Sequence, residues 1–274
     1  MPPLPFAPDL DAYFTRIGYT GPRIPTLGTL SEIHACHVRA IPFENLDVLL
    51  GRNISLDVAA IERKLVHERR GGYCFEQNGL FAVILRTLGF QVTTLLARVR
   101  WQVPEETPMP QTHMVLRVDL DGHPWLADVG FGGMGLMAPI ALDTEAEQSH
   151  RPEPRRLVRQ GHQLLHQAKP GRDWMDIYSF ALDEAFPIDF EVGNWFTSTH
   201  PNSRFRQNLV VALVGHNRRF SILNREFTTR YVDGRVEKHE IGSPVELLEI
   251  LASHFGLHFP ANTRFSTPGV LWPK

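Results

Sequence analysis

Of the two cysteines in this 274-residue chain, Cys36 and Cys74, the second has the surroundings of a nucleophile. It lies in Arg69-Arg70-Gly71-Gly72-Tyr73-Cys74-Phe75-Glu76-Gln77-Asn78-Gly79-Leu80-Phe81. Leu80, Phe81, Ile84 and Leu88 recur at helical spacing, so a helix is expected from about Cys74 to Leu88, with Gly89 as its stop. The first N–H groups of a helix lack intrahelical partners and carry partial positive charge. A thiol placed there loses its proton more readily, and the thiolate is the attacking species. Arg69 and Arg70 are expected to add positive charge, and the Gly-Gly pair to leave room beside the sulfur. The same position also suits an inert core thiol, because cysteine is among the most buried residue types. A nucleophile further needs a base and a group that orients the base.

Those partners are found on a hairpin. Thr112–Leu120 and His123–Asp128 read as strands around Asp121-Gly122, a dipeptide suited to a two-residue turn in which both residues take positive φ. With that loop, Leu120 faces His123, paired numbers sum to 243, and Val115 faces Asp128. Side chains alternate along a strand, so His113 shares the face of Val115 and hence of Asp128, one diagonal step away. An imidazole and a carboxylate can meet across that step. The carboxylate would fix the ring's tautomer and stabilise its charged form. A four-residue loop keeps this parity and an odd loop breaks it. Singly, His113 reads as a core histidine and Asp128 as a strand-end residue. Together with Cys74 they form a candidate Cys-His-Asp triad.

The positioning elements follow from periodicity. Leu10, Tyr13, Phe14 and Ile17 mark a helix closed by Gly18. Thr26 caps a second helix that Pro42 stops, and Ser55 caps a third expected to end at Gly71-Gly72. Phe90–Trp101 reads as a strand and Gln102–Pro110 as a Pro-rich loop. His150–Arg159 is polar and basic and reads as a solvated loop. Further strands are expected at Trp174–Leu182, Leu209–Val214, Ser221–Thr229 and Arg230–Lys238, then a helix capped by Ser243 and closed by Gly256. Helices first and strands afterwards indicate an α+β fold.

Composition narrows the function classes. Twenty-eight Lys and Arg stand against thirty Asp and Glu, a formal charge of −2, which argues against nucleic acid as the main partner. The longest stretches without a charged residue, Val129–Leu142 and Ile250–Thr263, reach 14 residues and contain Gly and Pro, too short for a membrane span. The opening MPPLPFAPDLD lacks the basic and apolar regions of a signal peptide, and two cysteines make no disulfide framework, so a reducing cytoplasm is expected. No metal is expected: His34, Cys36 and His37 lack a second ligand cluster, and His162 and His166 lack the glutamate of a metalloprotease helix. Cys36 reads as structural.

Arg70-Gly71-Gly72-Tyr73-Cys74-Phe75-Glu76-Gln77-Asn78 resembles the active-site motif of the arylamine N-acetyltransferases, and Ile41-Pro42-Phe43-Glu44-Asn45-Leu46-Asp47 resembles a second signature of that family. Thr112-His113, Asp128-Val129-Gly130-Phe131-Gly132 and the segment Asn194–Phe205 resemble others. The resemblance implies an N-terminal helical bundle (1–89), a β-barrel-like domain (90–195) and a C-terminal α/β lid (196–274), around a core like that of cysteine proteases and transglutaminases. It implies ping-pong transfer of acetyl from acetyl-CoA, the co-substrate, through a thioester on Cys74 to arylamines, arylhydrazines or N-hydroxyarylamines. Phe43, Val99, Phe131 and Phe205 are then candidates for the acceptor pocket, and Gly130, Gly132 and Gly133 for amides that approach the CoA phosphates. Two other readings share the triad: a papain- or transglutaminase-like hydrolase or amide-transfer enzyme, and a binding module that retains a cysteine pocket.

Overall fold

The computed structural model describes residues 6–272; the opening Met1–Pro5, part of the leader reading, lies outside them. The N-terminal region comprises α1 (Leu10–Ile17), α2 (Leu27–Ala40), the short strand β1 (Phe43–Glu44), α3 (Leu46–Leu49), α4 (Val58–Glu62) with a π-helical turn over Arg63–His67, and α5 (Cys74–Thr87). Next come β2 (Gln91–Val99), β3 (Gln111–Leu120), β4 (His123–Ala127), β5 (Ile140–Ala141), β6 (Arg155–Gln160), β7 (Gln163–Ala168) and β8 (Met175–Phe180). The remainder holds α6 (Pro187–Thr199), α7 (Arg204–Gln207), β9 (Val210–Val214), β10 (Arg218–Leu223), β11 (Glu226–Tyr231), β12 (Val236–Glu240) and α8 (Pro244–Phe255). The fold is α+β.

Local chemistry accounts for most helix ends. The Asp9 side chain accepts from Ala12 N at the start of α1, and Gly18 closes it at φ +69°. Thr26 and Ser243 cap α2 and α8 as expected. Ser55 does not cap α4: the side chain of Asp57 accepts from Ala60 N, and Ser55 Oγ accepts from Asp57 N instead. Nor does that helix reach Gly71-Gly72; it widens into the π turn, ends at His67, and turns away through Arg69 at φ +54°.

Seven strands form an antiparallel, barrel-like sheet in the order β5-β4-β3-β2-β8-β7-β6. Five more form a second sheet, β1-β9-β10-β11-β12. The expected strands at Ser221–Thr229 and Arg230–Lys238 are in fact three, because Asn224 at φ +57° turns the chain between β10 and β11. His150–Arg159 is not a solvated loop: Arg155 opens β6, fully buried, and Glu153 is 5% exposed. β7 and α6 are elements the periodicity did not single out, and α6 runs through the expected division between 195 and 196. One apolar cluster joins the helices to the barrel, with Leu80, Phe81 and Ile84 of α5 against Leu116 and Val118 of β3. A second packs α8 on the five-stranded sheet through Leu247, Leu251 and Phe255. Among the described residues no helix is long and apolar enough to cross a membrane.

Candidate active site

α5 places the sulfur. Cys74 is its first residue, 3% exposed, and Sγ lies 3.5 Å from the carbonyl of Thr112 on β3. The carboxylate of Glu76, three residues after Tyr73, accepts from Tyr73 N at 3.0 Å and fixes the chain's entry into the helix. Glu76 in turn pairs with Lys64 at 2.7 Å. Arg70 is buried and spent on Glu44 (2.7 Å) and Asp47 (3.2 Å), and Arg69 is exposed. The positive end of α5 lies at Cys74 itself, its first residue.

The hairpin has the expected register. Each pair from Leu120↔His123 to Leu116↔Ala127 sums to 243, and the turn residues Asp121 and Gly122 take φ +52° and +81°. Asp128 follows β4 directly, and its Oδ2 lies 2.8 Å from His113 Nε2. That leaves the ring's Nδ1 for Cys74. Both side chains are buried, His113 at 2% and Asp128 at 0% exposure. Burial alone would discharge the imidazole, but the charge and hydrogen bond of Asp128, helped by Cys74, outweigh it and hold the pKa well above the usual histidine range. Burial likewise opposes ionisation of Asp128, yet His113, Asn78 and the Gly130 amide hold it below the usual carboxylate range. The pair therefore stands as imidazolium and carboxylate near neutrality.

Asn78 is a positioning residue that the sequence reading passed over. It sits one helical turn after Cys74, the spacing that puts two side chains on one face. Its Nδ2 donates to Asp128 Oδ1 (2.9 Å) and to Met114 O (2.7 Å), and its Oδ1 accepts from Val129 N (2.9 Å). The helix that carries Cys74 thus also holds the carboxylate of Asp128. Tyr178 of β8 was also missed; fully buried, its ring lies 5.0 Å from His113 and 5.5 Å from Phe131.

Of the candidate pocket residues, Phe131 stands edge-on to His113 at 5.2 Å. Phe43 and Phe205 pack together at 5.7 Å, with Phe205 also 5.8 Å from Tyr73. Val99 pairs with Tyr178 on the sheet face that carries His113. A cavity of about 10 Å³ is lined by Phe43, Asp128, Phe131, Gly132 and Ala212–Val214 of β9, and neither Cys74 nor His113 lines it. The three glycines separate. Gly130 is not free for a phosphate: its N–H donates to Asp128 Oδ1 at 2.9 Å, and a Cβ there would lie 2.7 Å from Cys74 Cα. Gly132, at φ +86°, lies against the ring of Phe43, and a Cβ on Gly133 would meet only Ala212 Cβ, at 3.8 Å. Of the discounted groups, His34 and His37 are core and His162 is exposed. His37 bonds Tyr13 Oη (2.8 Å) and Gln77 (3.1 Å), His34 accepts from Asp128 N (3.2 Å), and Cys36 packs half-buried on the first cluster.

A thiol at a helix start, a charged imidazole and a buried carboxylate can perform acyl transfer. Comparison with known proteins gives the same direction. The family model described as N-acetyltransferase matches residues 26–264. The arylamine N-acetyltransferase of Mycolicibacterium smegmatis is 42% identical, over 92% of each chain. A Salmonella typhimurium protein named arylamine N-acetyltransferase / N-hydroxyarylamine O-acetyltransferase is 40% identical over 90% of this chain and 88% of its own. The solved Mycobacterium marinum arylamine N-acetyltransferase in complex with CoA superposes with a TM-score of 0.87 at 40% identity, covering 90% of this chain and 92% of that one. With sequence, fold and the geometry around Cys74 in agreement, the chain belongs to the arylamine N-acetyltransferase family.

Proposed function

We propose that this arylamine N-acetyltransferase carries acetyl as a thioester on Cys74, taking it from acetyl-CoA and passing it to the nitrogen of an arylamine or arylhydrazine. The observation that carries the reading is a helix-start thiol beside a buried His113–Asp128 pair at 2.8 Å. The Cys74 thiolate attacks the acetyl carbonyl of acetyl-CoA, and the N–H of Cys74 is positioned to donate to the oxyanion. The C–S bond to CoA breaks, His113 gives its proton to the departing sulfur, and acetyl stays on Cys74. An arylamine is mostly unprotonated at neutral pH. It attacks the thioester, the now neutral His113 accepts the amine proton, and the thiolate leaves. Phe43, Phe131 and Phe205 supply aromatic walls for a flat acceptor, with Val99 on the face of His113. Gly132 and Gly133 present the amides left for the CoA phosphates. N-hydroxyarylamines are further acceptors by analogy with the Salmonella relative. The three regions divide the work: helices hold the nucleophile, the barrel holds base and carboxylate, and the C-terminal sheet closes the pocket. The cytoplasm is the compartment proposed.

Intact mass after incubation with acetyl-CoA tests the reading. One acetyl is expected on wild type and on Cys36→Ser, and none on Cys74→Ser, which should keep less than about a hundredth of wild-type turnover. Double-reciprocal plots should be parallel; intersecting lines would place transfer in a ternary complex and remove the thioester. Peptide-amide cleavage without acetylation would favour the hydrolase, and neither reaction the binding module.

A further inference from the structure

A second charged group stands at the start of α5, and the reaction scheme does not use it. The π-helical turn over Arg63–His67 brings Lys64 against the first turn of α5; such turns gather at functional sites. The carbonyl of Lys64 accepts from Arg70 N at 3.0 Å. Its Nζ lies 2.7 Å from Glu76 Oε1 and 2.8 Å from Asp47 Oδ2, with the side chain 15% exposed. Glu76, 2% exposed, turns its other oxygen back to accept from Tyr73 N at 3.0 Å. Gly72 leaves room for that oxygen: a Cβ there would lie 2.7 Å from Glu76 Oε2. One carboxylate thus fixes the residue before the nucleophile, and one ammonium fixes the carboxylate.

The charge on Glu76 works against the chemistry. A carboxylate in the first turn satisfies the helix's free N–H groups and its partial positive charge. The Cys74 thiolate draws on the same partial charge, two residues earlier in the chain. Two anions there oppose each other, and a buried anion without a partner is unfavourable in itself. Both act on one neighbour: the Tyr73 phenol is held well above its usual range by burial first, then by Glu76 and Cys74. Among the described residues, Lys64 is the only cation in ion-pair reach of Glu76. Glu44 of β1 is a further anion nearby, Asp47 of α3 is shared by Lys64, Arg70 and Arg52, and Arg70 is paired with Glu44 and Asp47. On the side of Cys74 the titrating groups are His113 and Asp128. A buried ion pair contributes little net stability against an apolar replacement, so the pair's value lies elsewhere. We propose that Lys64 is a positioning residue for the nucleophile: by neutralising Glu76 it lets the cap hold Cys74 at the helix start without setting a bare negative charge beside the thiolate. Lys64 makes no hydrogen bond to Cys74, His113 or Asp128 and acts through Glu76. The proposal rests on the reading of Cys74 as nucleophile given above.

The test follows alkylation of Cys74 by iodoacetamide against pH in a Cys36→Ser background. The thiolate forms a C–S bond at the methylene carbon and iodide leaves. Lys64→Met removes the cation and keeps an apolar stem, while Asp47 retains Arg70 and Arg52. Glu76 then titrates beside the thiol. At pH 7 this variant should alkylate about tenfold more slowly than the parent, a displacement of about one pH unit, and its profile should gain a step that the parent lacks. Lys64→Met/Glu76→Gln replaces the charge by an amide whose oxygen still accepts from Tyr73 N. The extra step should vanish and most of the rate return. A folded Lys64→Met with the parent's profile overturns the proposal. So does a double variant as slow as the single one, which would show Lys64 acting through packing or Asp47. Should Lys64→Met not fold, Glu76→Gln alone decides. Lys64 then faces the thiol's side of the helix start with less opposing charge, and the reactive limb should extend about one pH unit lower. An unmoved limb overturns the role of the charge. Wild type that alkylates at Cys74 but takes no acetyl from acetyl-CoA would defeat the reading of the reaction and leave these profiles standing.

Discussion

At the scale of single residues, the division of labour rests on Asp128. Its two oxygens accept from three donors, His113, Asn78 and Gly130, so the carboxylate is both charge partner and fixed point. Asp128→Asn should fold yet lose about a hundredfold or more in turnover, because an amide keeps a hydrogen bond but not the charge and favours the wrong tautomer. Slower iodoacetamide alkylation of Cys74 near neutrality would accompany the loss; normal alkylation and normal turnover would remove Asp128 from the mechanism. The pair also gives stability a pH dependence. His113 has its pKa raised by Asp128 against the cost of burial, so its contribution is full below about pH 6.5, the unfolded value, and is lost as pH climbs through the raised one. Asp128 has its pKa lowered by His113, again against burial, so its contribution is full above about pH 4 and is lost as pH falls through the lowered value. The difference in melting temperature between wild type and Asp128→Asn should accordingly be largest between about pH 4 and 6.5 and shrink on either side. A difference independent of pH from 3 to 9 would show that the pair is not charged in the folded state.

At the scale of elements, the β3–β4 hairpin makes the most exacting claim. One residue inserted between Asp121 and Gly122 should carry Asp128 to the opposite face and abolish activity, whereas two inserted residues should preserve parity and retain much more. Equal activity in the two variants would show that the turn does not set the pair. The glycines offer a second comparison. Gly130→Ala sets a Cβ 2.7 Å from Cys74 Cα and should cost about a hundredfold in turnover, the scale of a misplaced catalytic group, while Gly133→Ala, with its 3.8 Å neighbour, should be near wild type. Comparable losses would show that the close approach of Gly130 to Cys74 is not what sets the difference. The hairpin, the caps of α1, α2 and α8 and the helix-start cysteine were readable in advance because each depends on residues a few positions apart. Asn78, Tyr178 and the 153–155 segment were not. Asn78 gains its role from a carboxylate 50 residues away. Arg155 looks solvated until Glu153 and the inward carbonyls of Met134 and Gly135 are known. α6 was hidden by its content: Ile188, Phe190, Val192, Trp195 and Phe196 weaken helix propensity, and Phe190 and Gly193 pack inward while Ile188, Val192 and Trp195 are exposed.

At the scale of the molecule, the three regions are stitched together by contacts distant in sequence. β1 pairs with β9, Phe43 opposite Ala212, and Arg70 lies under the ring of Phe259 at 4.6 Å. The first apolar cluster draws on helices, barrel and β9 alike. Unfolding should therefore be a single calorimetric transition with matching calorimetric and van't Hoff enthalpies; two resolved transitions would show that the C-terminal sheet melts on its own. The β1–β9 pairing also bears on synthesis. Cys74, His113 and Asp128 all leave the ribosome before Val210 does, and at roughly 5–20 residues per second the intervening stretch of about 80 residues takes about 4–16 s. Through that interval a nascent chain carries Cys74, His113 and Asp128 while β1 stands as an edge without its β9 partner. A translational pause in this window would leave that edge open to pairing with another chain, so codon tempo between Asp128 and β9 bears on aggregation during synthesis.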